Sequence, residues 1–133
     1  MTLRSLILAI AVAFAAAPAF AADTAAVVAP RFMHALPDMP GKVMKVVTVS
    51  YAPGAATPAH RHGQAFVYAY VLSGHIRTQV EGEPEKVLAP GESWFEMPGA
   101  HHVVSGNASK TEPAKFLVVF IAGDKDELVT MDK

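Results

Sequence analysis

The chain has 133 residues, 11 lysines and arginines against 12 aspartates and glutamates, and no cysteine. A single domain is expected at that length. The even charge balance excludes a nucleic-acid partner, which needs a clustered basic face. The lack of cysteine excludes a disulfide framework, so folding must rest on an apolar core, with a metal ion as the available cross-link.

Residues 1–21 read as a secretory signal. Arg4 precedes an apolar run from Leu6 to about Ala17, and Ala19-Phe20-Ala21 has the small-x-small form of a cleavage site. The competing reading is an uncleaved anchor, because the run approaches the ~20 residues that span a bilayer. Pro18 and the alanines around it favour cleavage. The expectation is a periplasmic or secreted protein with no membrane contact once the signal is removed.

Residues 22–40 are rich in alanine and proline and read as a tail or edge segment, leaving 41–133 as the folded domain. Short apolar runs follow at 42–50, 65–72, 75–80, 85–88, 92–97 and 115–122, rich in valine and aromatic residues as strands prefer. Turn-forming pieces such as APGAATP, EGEPE, APGE and SGN separate them. No stretch of 22–133 carries a sustained helical stripe, so the expected class is all-β, a sandwich or barrel. The last ten residues, DKDELVTMDK, read as a short helix or a frayed tail.

Two stretches carry chemistry. In the first, His60 and His62 are two apart, so an extended chain points both rings to one face. Gln64 joins that face if the geometry persists past Gly63, and Arg61 faces away. In the strand that follows, Phe66, Tyr68, Tyr70 and Leu72 share one face and Val67, Ala69 and Val71 the other. The bulky face is expected between sheets, and the small face leaves room for a cavity. In the second stretch, Trp94 and Glu96 fall on one strand face, and His101-His102 follows the turn at Pro98-Gly99. A carboxylate in an apolar strand is buried only when paired or bound to a cation. Otherwise Glu96 lies on a solvent face. Trp94 reads as a cavity wall.

Together these stretches resemble the two motifs of the cupin superfamily, whose members are jelly-roll β-barrels. The first motif has a glycine, His-x-His, a glutamate and a closing glycine, matched here by Gly54, His60, His62 and Gly74. The second has a glycine, Pro-x-Gly, a histidine and an asparagine, matched loosely by Gly91, Pro98, Gly99, His102 and Asn107. The resemblance implies His60, His62 and His102 as ligands of a divalent transition metal: Fe, Zn, Ni, Cu or Mn. It departs at the glutamate, whose place falls on Val67 or Phe66 depending on the end counted from. The fourth ligand is then Gln64, Glu96 or water. The chain also looks like the small cupins labelled quercetin-dioxygenase-like. That likeness implies a metal-dependent enzyme, a dioxygenase-like oxidoreductase or a lyase or isomerase, acting on a small organic molecule. Glu96 or His101 would serve as acid or base. The alternative is a non-catalytic metal or small-ligand binding protein. A homodimer through the aromatic face of Phe66, Tyr68 and Tyr70 is a further expectation.

Overall fold

The computed structural model describes residues 26–133, so the expected signal segment lies outside the described residues. Eleven strands follow in order: β1 Val27–Ala35, β2 Lys42–Tyr51, β3 Ala56–Thr57, β4 His60–Arg61, β5 Phe66–Ser73, β6 Ile76–Val80, β7 Lys86–Leu88, β8 Ser93–Glu96, β9 His101–Asn107, β10 Ala114–Gly123 and β11 Thr130–Met131. Every pairing is antiparallel. One sheet runs β1-β2-β10-β5-β8. The other runs β11-β4-β9-β6-β7, with β3 also on β9. No helix occurs among the described residues, and the two sheets form the expected jelly-roll barrel.

The barrel is held by alternation. Along β10, Phe116, Val118 and Phe120 point inward between Leu117, Val119 and Ile121. Tyr51, Val67, Val71 and Ile76 are the largest fully buried side chains. Each such apolar side chain contributes ~1.5–3 kcal/mol by leaving water. The β5–β6 turn needs Gly74, at φ +68. A Cβ there would meet the Pro113 carbonyl and come within 2.7 Å of Ala114 Cα.

The strand β5 corrects one expectation. Its parity is as read, but its direction is reversed. Val67, Ala69 and Val71 are buried, while Tyr68 and Tyr70 are 38% and 37% exposed. The reason lies in the register with β8, which sets Val67 opposite Glu96 and Ala69 opposite Trp94. The large inward groups come from β8, and the small residues of β5 make room for them. The end of the chain is also corrected. It is neither helix nor frayed tail: Thr130 and Met131 pair with Arg61 and His60, and the Asp132 amide donates to the Ala59 carbonyl at 3.0 Å.

Candidate metal centre

The strands β4 and β9 are paired with His60 opposite His102, so two imidazoles on different strands face one interior space. His62, just past the end of β4, is buried beside them. One ring nitrogen from each of the three histidines lies within 4.8 Å of the others.

Their hydrogen bonds fix what those nitrogens offer. His60 Nδ1 donates to the Pro58 carbonyl at 2.8 Å, and His62 Nδ1 donates to the Leu128 carbonyl at 2.6 Å. A carbonyl only accepts, so in the neutral rings both protons sit on Nδ1 and both Nε2 atoms carry lone pairs. Those two Nε2 atoms are 3.2 Å apart. Two lone pairs cannot hydrogen-bond to each other, and the arrangement calls for a cation. Burial, the largest cause, lowers the affinity of each ring for a proton below the usual histidine range. A metal ion suits the pair better. Neutral imidazoles with their second nitrogen tied to a carbonyl are what divalent transition metals bind.

His102 completes the group. Its Nε2 shares a 2.8 Å hydrogen bond with the Thr78 hydroxyl, while its Nδ1 is 3.1 Å from Glu96 Oε1 without forming a hydrogen bond. Burial first, and then the neighbouring His60 and His62, push its pKa down to about 3. Glu96 is 2% exposed. Its Oε1 accepts from Trp94 Nε1 at 3.1 Å, and its Oε2, 3.6 Å from His62 Nε2, has no hydrogen-bond partner. Burial raises the carboxyl above its ordinary range, against a smaller lowering from the Trp94 bond and His60. An orphaned carboxyl oxygen and an orphaned imidazole nitrogen beside two facing lone pairs fit a bound divalent ion.

These groups open onto a cavity of about 430 Å³, with Trp94 in its wall. His60, His62, His102 and Glu96 are thus brought together. Gln64 and His101 are not. Gly63, at φ +56, ends the extended run and turns Gln64 out to solvent. His101 neighbours His102 on β9 and so points the other way. Its Nε2 lies 2.8 Å from Asp132 Oδ2, and its Nδ1 3.5 Å from Glu81 Oε2. Arg61 faces outward as expected and donates to the Gly99 carbonyl at 3.1 Å. Sequence reasoning missed Thr78 and Leu128. Neither had a signal: one acts by a hydroxyl in an ordinary strand, and the other by its backbone carbonyl.

The place of the missing motif glutamate is also explained. Of its two candidate places, Phe66 and Val67, only Val67 is buried in the barrel, and the residue directly across the sheet from Val67 is Glu96. Paired residues on one face have Cβ atoms ~4.5–5.5 Å apart. The carboxyl group therefore reaches the same interior region from the adjacent strand.

Comparison with known proteins bears on both fold and centre. A protein of Pseudomonas aeruginosa named beta-alanine degradation protein BauB is 36% identical over 72 residues, which is 53% of this chain and 70% of that protein. The crystal structure of TT1209 from Thermus thermophilus is 30% identical, with a TM-score of 0.60 over 74% of this chain and 85% of that one. The DMSP lyase DddQ from Ruegeria pomeroyi is 25% identical with a TM-score of 0.58, over 66% of this chain but 42% of the lyase. An oxalate oxidase solved with glycolate shares the fold, at 21% identity and a TM-score of 0.63 over 82% of this chain and 56% of that one. The family model described as "Cupin domain" matches residues 47–120, the span that carries all three histidines and the glutamate. The barrel, the three-histidine cluster and this match agree, and the chain belongs to the cupin family.

Proposed function

We propose that this protein is an exported, metal-dependent cupin enzyme acting on a small organic molecule. The observation that carries the reading is the meeting of three imidazoles and one orphaned carboxyl oxygen at the wall of a cavity. His60 and His62 would hold the ion through Nε2, and His102 through a ring nitrogen. The three imidazoles suit Zn, Fe, Ni or Cu over Mn. The bound ion supplies Lewis acidity to a substrate oxygen. Trp94 orients the Glu96 carboxyl through Oε1, leaving Oε2 to accept a proton from the substrate and return it. That role favours lyase or isomerase chemistry, in which a proton leaves carbon, over dioxygenase-like oxidation. The similarity to a DMSP lyase and to a beta-alanine degradation protein supports a small-molecule substrate.

Export rests on the pattern of residues 1–21. A periplasmic or secreted location is tested by sequencing the N-terminus of the protein recovered from the periplasm. We also propose a homodimer through the outer face of the five-stranded sheet, where aromatic and aliphatic residues lie exposed.

The deciding experiment is elemental analysis of protein purified without chelator or nickel resin, beside the double variant His60→Ala/His62→Ala. One ion per chain in the parent, lost in the variant, is the expected result, followed by elimination, isomerisation and oxygen-uptake assays. No metal in the parent after reconstitution would overturn the reading. Stoichiometric metal without turnover in any of these assays would make it a binding protein.

A further inference from the structure

The cavity wall carries information about the substrate that the metal centre does not. Among the described residues that line it there is no lysine, arginine, aspartate, asparagine or glutamine. Its ionisable metal-binding groups, His60, His62, His102 and Glu96, are gathered in one cluster. From there an aromatic wall continues. The ring centroids of His102 and Trp94 are 6.0 Å apart, those of Trp94 and Phe116 5.3 Å, and those of Phe116 and Tyr51 5.7 Å. Val47, Val49, Val67, Ala69 and Val118 line the space as well. The hydroxyls beyond the aromatic wall are occupied by each other. Tyr51 Oη lies 2.6 Å from Thr57 Oγ1 and 2.9 Å from Ser105 Oγ. The lining includes exposed apolar side chains at Val28, Val129 and Met131.

A charged group held against the buried apolar wall of Val67, Ala69, Trp94, Phe116 and Val118 would lose its water with nothing to replace it. Burying a charge without a partner is unfavourable. An apolar ring gains instead. An apolar cavity of roughly 150 Å³ holds a benzene, so about 430 Å³ accommodates two to three rings or their aliphatic equivalent.

Resting on the functional reading above, we infer that the substrate class is a molecule with an apolar body of two or three ring volumes and a single oxygen-bearing end, which meets the histidines and Glu96. Zwitterions and dicarboxylates, which carry a second charge, are outside it. This goes beyond the names of the relatives and differs from what those names indicate.

Trp94 is the sole tryptophan of the chain and lies in the wall, so its emission reports filling of the cavity. The test titrates the protein as isolated with decahydro-2-naphthol, a neutral bicyclic alcohol that does not absorb near tryptophan, and with succinate and beta-alanine, with calorimetry alongside. The titrations are repeated after dialysis against chelator. The expected result is saturable binding of the alcohol at least tenfold tighter than either charged probe, in both samples. Binding of succinate or beta-alanine as tight as the alcohol, or no saturable binding of the alcohol, would overturn the inference. Metal content read on the same samples judges the functional reading separately, because the apolar wall does not depend on the ion.

Discussion

His60 and His62 show how much a single hydrogen bond decides. Each Nδ1 proton is spent on a carbonyl, and the two lone pairs left over face each other at 3.2 Å. Glu96 beside them is held by Trp94 through one oxygen only. Glu96→Gln keeps the shape and an acceptor for Trp94 but removes the proton-carrying group. Turnover should fall ~10²–10⁴-fold, the usual worth of a positioned acid or base, while metal content, read by elemental analysis, stays near that of the parent. A second expectation concerns pH. Burial lowers the pKa of His60, His62 and His102, so in metal-free protein the unfolded chain takes up protons below about 6.5 that the folded chain refuses. The stability they contribute is present above pH 6.5 and declines as pH falls below it, by up to ~1.4 kcal/mol per unit for each ring. Glu96 acts oppositely. Its raised pKa makes its contribution full below the ordinary carboxylate value and lost as pH rises through the folded one. The three rings outnumber it, so the melting temperature of chelated protein should drop between pH 7 and pH 5. A flat or rising profile would contradict this account of the buried rings.

At the scale of elements, the centre is assembled across strand pairings. The strands β4 and β9 contribute histidines, β8 the carboxyl and β6 the hydroxyl of Thr78. The C-terminal strap is part of the same assembly. Its Leu128 carbonyl orients His62, β11 pairs with β4, and Asp132 reaches His101. Groups that orient a metal ligand are commonly worth ~10–100-fold in affinity. A chain ending at Glu127 loses the Leu128 carbonyl and β11 while keeping the long strands. It should retain its β-sheet circular dichroism and bind metal more weakly by a factor of that order in a chelator competition. Unchanged affinity would show that the strap plays no part in the centre.

At the scale of the whole molecule, the five-stranded sheet turns an apolar face outward. One row crosses all five strands, through Phe32, Val46, Val119, Tyr68 and Phe95. A second includes Met44, Ile121 and Phe66, and a third Leu117 and Tyr70. Five strands at ~4.8 Å, over some 20 Å of strand, give about 500 Å² in plan. That is at the top of what monomers leave exposed and approaches the ~800 Å² that each partner of a stable dimer buries. A second copy presents the same face and can meet it about a twofold axis. Sedimentation should find a dimer, and Tyr68→Glu/Phe95→Glu, which changes only outward side chains, should yield a folded monomer. A monomeric parent would remove this face as an interface.

The sequence by itself determined the strand content and the class of barrel, and it singled out His60, His62 and His102 as the histidines that the fold gathers. The strands and the shared face of His60 and His62 follow from local spacing, with glycine and proline at the turns, while the jelly-roll barrel and the choice of His102 follow from the resemblance to the two cupin motifs. Trp94 and Glu96 could be placed on a common face for the same reason. Whether that face was buried could not be read, because burial depends on what lies across the barrel. Gln64 was drawn toward the site by alternation continued past His62 and His101 by adjacency to His102, and one glycine turn and one step of strand alternation put them outside it. Likewise, the two faces of β5 were separable by parity, yet only the pairing of Val67 with Glu96 and Ala69 with Trp94 decided which face looked inward. The Glu96 carboxyl across from Val67, the Leu128 carbonyl behind His62 and the Thr78 hydroxyl behind His102 are 29, 66 and 24 residues from the residues they meet. Contacts at such separation leave no local pattern, and only the closed barrel brings them together.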